Sequence, residues 1–320
     1  MKLISIIVTF TTLIYFTINA VAQDYPTKPV KIIIPFSQGS ITDIIARGVS
    51  KQLAGLWKQS VLTENLLGKG GTIAASFIAK EQPDGYTLFV HGAFTINPSF
   101  YRNLSYEPLK DFTHITPLAR QPLALVVNPT ADIKTLSDLI AVAKSKPRQI
   151  NFGSPGTGSG AHLIAEKFRL AAGIDMGHTP YNGGPEVIKA INVGHIIFSF
   201  LPLGIAKKFA AKGKLRVVGV TSVQRTSAMP EVATISEAGL TGFEYNHWWG
   251  LWGPADIPRN IVHKIHKDVA RSLATPELRK LFSKIGVAPM NMTSTEFSQF
   301  VHSEMKSVAK IIATTGIKPN

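Results

Sequence analysis

The chain has no cysteine. That excludes disulfides, thiolate nucleophiles and Cys-ligated metals. It also has no run of five or more Lys/Arg, although its formal net charge is +14. The cations are scattered and no aromatic residues interleave with a basic stripe, so nucleic acid is not an expected partner. A basic surface of this kind gives a mild attraction for anionic solutes. Nucleotide and hydrolase fingerprints are missing too. Gly68-Lys69-Gly70-Gly71 does not complete G-x-G-x-x-G, because Ile73 stands where the last glycine would fall. No Gly-Lys-Ser/Thr is present, and the residues around Ser159 do not form G-x-S-x-G. H-E-x-x-H is absent and the nine histidines are dispersed, so no metal, cofactor or catalytic residue is expected.

Residues 1–22 read as a secretory signal peptide. Lys2 is the only charge, Leu3 to Ile18 is mostly apolar, and Ala20-Val21-Ala22 is an A-x-A cleavage site before Gln23. The run is short for a membrane span. A mature protein starting at Gln23 in the periplasm is therefore expected. No later stretch has 18 unbroken apolar residues, which predicts a soluble mature chain. Its apolar content is 45%, enough for a full core in one large or two modest domains.

The remainder is organised around residues 30–47, VKIIIPFSQGSITDIIAR. Val30 to Ile34 is a β-branched run that predicts a buried strand, and Pro35 ends its ladder. Gly39 permits a tight turn. Ser40 and Asp43, three apart, come close to a capping box and predict a helix carrying Ile44, Ile45, Val49 and Leu53. Strand, polar turn and helix together place free N–H groups at a carboxyl edge, where open α/β proteins bind ligands; an ordinary turn that binds nothing has the same pattern. The design recurs about 120 residues later. Ile150 to Phe152 predicts a strand, Gly153 to Gly160 is a glycine-rich loop, and Ala161 to Ala172 predicts a helix.

Between and after these units, strands are expected at Val61 to Asn65, Tyr86 to Val90, Leu123 to Val127, Ile196 to Phe198 and Leu215 to Val220. Helices are expected at 72–80, from Thr135 to Lys146, from Gly183, at 205–212, 258–274, 276–285 and 294–315. His247-Trp248-Trp249-Gly250-Leu251-Trp252 is aromatic and apolar, and Trp248, Trp249 and Trp252 read as pocket lining or, more simply, as core. The alternation predicts an α/β protein with two similar lobes facing each other. Lobe 1 is expected to comprise 23–122 plus 223–320 and lobe 2 to comprise 123–222, with two crossing strands as the hinge.

Several segments, in order, carry a resemblance. They are Tyr25-Pro-Thr-Lys-Pro-Val30, Pro35-Phe36 to Asp43, Gly70-Gly71-Thr72, Pro83-Asp-Gly-Tyr-Thr-Leu88, Asn97-Pro98 and Pro108-Leu-Lys-Asp-Phe112. Gly156-Thr-Gly-Ser159, His178-Thr-Pro-Tyr181, Gly213-Lys-Leu-Arg216 and Gly316-Ile-Lys-Pro319 complete the set. In this order the chain resembles the solute-binding receptors of tripartite tricarboxylate transporters, the Bug or TctC family. The resemblance implies a two-lobed periplasmic binding protein of the type II, Venus-flytrap kind. It would trap a small carboxylated solute and hand it to the permease subunits of a tripartite transporter, as a monomer and without catalysis. The sequence departs from the family pattern at Gln38, Ser40, Asn182 and Ser199-Phe200, beside the expected cleft.

The expected ligand-binding residues are Phe36, Ser37, Gln38, Gly39, Ser40, Thr42, Asp43, His91, Thr95, Ser154, Thr157, Gly158, Ser159, His162, Tyr181 and Ser199. Asp43 reads more readily as a helix cap, and His162 more readily as a histidine packed under its loop. Two other readings remain: an exported enzyme that holds a phosphate cofactor on the glycine loops, and a ligand-sensing or adhesive module that reuses the fold.

Overall fold

The computed structural model describes residues 25–99, 101, 103–181, 183–226 and 228–315. The signal peptide reading, the departure at Asn182 and the match at 316–319 lie outside the described residues.

The first half of the described chain opens with β1 (Val30–Ile34), α1 (Ile41–Trp57) and β2 (Val61–Asn65). Next come α2 (Thr72–Ile78), β3 (Thr87–His91) and the long β4 (Phe112–Val127). After α3 (Leu136–Ser145) follow β5 (Asn151–Ser154), α4 (Gly160–Ala172), β6 (Gly177–Pro180) and α5 (Gly184–Asn192). β7 (Phe198–Pro202), α6 (Leu203–Ala210) and β8 (Arg216–Val220) complete this part. The chain closes with β9 (Asn246–Pro254), α7 (Arg259–Leu273), α8 (Pro276–Ile285), β10 (Ala288–Pro289) and α9 (Ser294–Thr315).

Hydrogen-bonded neighbours run β2-β1-β3-β9-β4-β7-β5-β6, with β8 and β10 also pairing β4. The two ends of this path repeat one design. β2, β1 and β3 are parallel, and antiparallel β9 closes them; β6, β5 and β7 are parallel, and antiparallel β4 closes them. Parallel strands covered on both faces need apolar side chains on both faces. Ile32 and Ile34 accordingly pack with Ile45, Val49 and Leu251, while Ile33 points the other way into Phe89, Trp252 and Phe297. All nine are buried, at about 1.5–3 kcal/mol for each large side chain. In the second unit Phe152, Phe168, Phe198 and Phe200 form the equivalent core.

β4 joins the two units. Residues 112–122 pair with β9, and residues 123–127 pair with β7 on one edge and β8 on the other. Pro122, with no N–H to donate, stands at the change of partner. Thr221 clasps this point. Its hydroxyl accepts the Leu123 N–H at 2.8 Å and donates to the Tyr245 carbonyl at 2.7 Å. Its own N–H and C=O bond the Leu123 carbonyl and the Tyr245 N–H, each at 2.9 Å. Three passages of the chain are thus tied at one fully buried residue.

Sequence patterning placed the closing helices within a residue or so. It located only the last third of β4 and read β9 as an aromatic cluster. β7 also begins where the expected strand at 196–198 ended. Among the described residues no helix is long and apolar enough to cross a membrane.

Candidate ligand-binding site

Two loops lead into helices at the carboxyl edges of β1 and β5, and they are built alike. In the first, the Ser40 N–H bonds the Ser37 carbonyl at 3.1 Å, closing a turn in which Gly39 has φ +81°. In the second, the Ser159 N–H bonds the Gly156 carbonyl at 3.2 Å, and Gly158 has φ +77°. That left-handed backbone strongly favours glycine. Ser40 and Ser159 then cap α1 and α4: each hydroxyl accepts the N–H three residues on, from Asp43 and from His162, at 3.2 Å. The favour is returned. Asp43 Oδ2 accepts the Gly39 N–H at 2.9 Å, and His162 Nδ1 accepts the Gly158 N–H at 3.2 Å.

Each loop is therefore closed on its own helix. The Gly39 and Gly158 amides already have partners within the loops, whereas the Ser40 and Ser159 hydroxyls only accept there and keep their own O–H to donate. The helix geometry leaves the N–H groups of Ile41 and Thr42 in one unit, and of Gly160 and Ala161 in the other, outside the intrahelical ladder.

The supports beneath the loops differ. Asp43 is buried, and burial alone would raise its pKa. Bonds from Arg47 (2.9 Å), the Gly39 N–H and Asn65 (3.0 Å) outweigh this and hold the carboxyl below its usual range. His162 stacks on His178 with ring centroids 3.8 Å apart. Burial, reinforced for His162 by its neighbour, lowers the pKa to about 3 for His162 and about 4 for His178. Both rings are neutral at ordinary pH, and Nδ1 of His162 remains an acceptor. Ser154 bonds His178 Nε2 at 2.7 Å, and Ser199 donates to the Gly153 carbonyl at 2.7 Å. Tyr181 donates its N–H to the Ser154 carbonyl at 2.9 Å. Ser154, Ser199 and His162 thus support the second loop from below.

The first strand of the returning chain brings the two helix starts together. On β9, the Trp249 indole N–H donates to Thr42 at 2.9 Å. Two residues earlier, His247 lies against the start of α4: a Cβ added at Gly160 would sit 2.5 Å from its Nδ1. The His247 and Trp249 rings meet edge to face at 4.6 Å. Burial lowers the His247 pKa to about 4. The loops also touch across the units, where the Tyr101 hydroxyl donates to the Thr157 carbonyl at 3.1 Å.

The other expected residues surround this junction. Phe36 packs edge-on to His91, whose burial lowers its pKa to about 3 and whose Nε2 lies 3.2 Å from the Gly70 carbonyl. Thr95 is buried and donates to the Gly92 carbonyl at 3.0 Å. It shares with His247 a cavity of about 10 Å³, the scale of one water molecule. Ser37, Gln38 and Gly39 form the exposed tip of the first loop. The structure adds Tyr101, Tyr245, His247 and Trp249 to the residues read from sequence. A period-two reading of residues 246–254 would have marked His247 and Trp249 as neighbours on one face of a strand.

Known proteins resemble this chain in sequence and fold. The model of the tripartite tricarboxylate transporter family receptor matches residues 41–317. A Cupriavidus necator protein, named as a UPF0065 protein in the gbd 5' region, is 30% identical over 299 residues, 93% of this chain and 91% of its own. Among solved structures, Rpa4515 of R. palustris with adipate superposes with a TM-score of 0.86 at 30% identity, covering 93% of this chain and all of that one. The periplasmic binding protein BugD gives a TM-score of 0.83 at 25% identity, covering 92% and 100% of the two chains. The fold is that of two-lobed periplasmic binding proteins, and the chain belongs to the tripartite tricarboxylate transporter receptor family.

Proposed function

We propose that the protein captures a small carboxylated organic solute between its two lobes and delivers it to the membrane subunits of a tripartite tricarboxylate-type transporter. The observation that carries this reading is the convergence of two helix N-termini, from α1 and α4, on His247 and Trp249. Orphan N–H groups and the positive ends of two helix dipoles suit a carboxylate. The histidines around them are held neutral by burial, so polar recognition there rests on dipoles and hydrogen bonds. The adipate seen in Rpa4515 supports a carboxylate as the ligand class. The sixteen residues read from sequence are taken as the binding region in two roles. Phe36, Ser37, Gln38 and Thr157 lie at the surface of the junction, while the buried Thr42 and the remainder hold its shape.

Lobe 1 is proposed to hold β1–β3, the first part of β4 and the chain from β9 onward. Lobe 2 holds the rest. The return crossing is taken at 245/246 rather than at 222/223, because Met229 and Val232 pack with Val126 and Leu201, and Ile235 and Phe243 with Phe168 and Phe198. Residues 1–22 are proposed as a cleaved leader that takes a monomeric receptor to the periplasm. A thermal-shift screen of organic acids tests the function. An acid at 100 times its Kd adds roughly 2.7 kcal/mol of stability. A response to nucleotides with none to any di- or tricarboxylate would overturn the reading.

A further inference from the structure

Behind the junction lies a chamber of about 390 Å³, within the range of small-molecule sites. α4 of the second unit lines it through Leu163 and Lys167, and α9, which packs on α4 through Leu163, Val308 and Ile312, lines it through Phe300, Glu304 and Ile311. Met290, Met292 and Trp248 contribute further apolar surface, and Arg120 stands at the rim. The chamber is separate from the helix-start junction. Leu163, Tyr245, Trp248, Glu304 and Val308 form a partition whose other side faces the small cavity of Thr95 and His247.

The charges in the chamber are unequal in what they have left to offer. Lys167 donates to the Glu244 carbonyl at 2.5 Å, lies 5.4 Å over the Phe243 ring and faces the half-buried Glu304. Burial raises the Glu304 pKa, which its interactions with Trp248 and Lys167 oppose. Glu244 accepts the Asn246 amide at 3.2 Å. Arg120 is exposed, and its guanidinium has no hydrogen bond or ion pair among the described residues. The methionines supply a surface that adapts to differing hydrocarbon shapes.

We propose that this chamber is a second small-molecule site, which takes an amphipathic monocarboxylic acid with its carboxylate on Arg120 and its hydrocarbon across Met290, Met292, Phe300 and Trp248. The cation at the rim selects the acid over the amine of equal length. The apolar side chains within this mixed lining select it over short, fully polar acids. This site is independent of the solute proposed for the junction.

Octanoate is the probe, with octylamine as its charge-reversed control. Binding to the mature full-length chain is followed by calorimetry, with the change in total tryptophan fluorescence as a second signal. Octanoate is expected to bind saturably at one equivalent, and octylamine not at all. Arg120→Gln removes a charge-assisted contact from an exposed side chain and should weaken octanoate by about tenfold or more. Ser307→Trp, at an exposed position on the chamber wall, should abolish binding with the melting temperature unchanged. Saturating adipate should leave octanoate bound. Equal octanoate affinity in Arg120→Gln and the parent, full displacement by adipate, or no saturable binding at millimolar octanoate would each overturn the proposal. The Arg120 comparison reads the chamber whether or not any acid binds at the junction.

Discussion

Replacing Thr221 with valine should loosen the joint between the lobes. Valine keeps the branched shape, so the packing volume is nearly unchanged, and only the hydroxyl is lost. That hydroxyl accepts from the Leu123 N–H and donates to the Tyr245 carbonyl, in a site with no solvent exposure. Two net hydrogen bonds are worth about 1 kcal/mol each, and a buried amide left unpaired adds about 1–3 kcal/mol. The loss should be about 3–5 kcal/mol, or roughly 5–10 °C in melting temperature for a chain of this size. Urea denaturation gives the free energy directly from the midpoint, provided the slope is unchanged. Thr221→Ser is the control. It keeps both bonds, gives up one methyl, and should cost about 1 kcal/mol. A valine variant as stable as the parent, or a serine variant as damaged as the valine, would refute the assignment of stability to the hydroxyl.

Acid should destabilise the protein through its buried histidines. His91, His162, His178 and His247 have folded pKa values of about 3 to 4, below the 6.5 of an unfolded chain. The unfolded state therefore takes up protons first, so stability is full above pH 6.5 and falls toward pH 4. At pH 5 the loss is about 2 kcal/mol per histidine, from 1.36 kcal/mol per pH unit over about 1.5 units. Unfolding measured against pH in His178→Gln should have a slope shallower by one proton. Gly92→Ala should cost about 3 kcal/mol in urea denaturation, because its Cβ would lie 2.0 Å from the Trp248 carbonyl oxygen. Tyr101→Phe removes the bond to the Thr157 carbonyl and should weaken acid binding about threefold to tenfold by calorimetry, with little change in melting temperature.

The repeated strand–loop–helix design was legible because both copies spell it locally. A β-branched run precedes a glycine, a serine cap and an amphipathic helix, and each signal acts within a few residues. The cap at Ser40 could be read for the same reason. What the caps do to their neighbours was less visible. That Asp43 and His162 return to the Gly39 and Gly158 amides depends on turn geometry, and a carboxylate and an imidazole look unrelated in a string of letters. A period-two reading pairs His247 with Trp249, but what the pair touches was out of reach, because its partners are contributed by α1 and α4, far away in sequence. β4 was cut short because only Leu123 to Val127 is an unbroken apolar run, whereas residues 112–122 mix polar residues and prolines and pair with β9 through register shifts between His114 and Thr116 and between Pro117 and Ala119.

The closure of each loop on its own helix separates the tip from the scaffold. The side chains of Ser37 and Gln38 make no hydrogen bond among the described residues, and both are exposed. Gly39, Ser40 and Asp43 hold the turn without them. Substitutions at the two tip positions therefore leave the cap, the helix and the strand beneath untouched, so new side chains can be sampled there at almost no risk to folding. Such a loop is evolvable: a lineage meeting a new nutrient can change what the tip presents while the fold stays fixed.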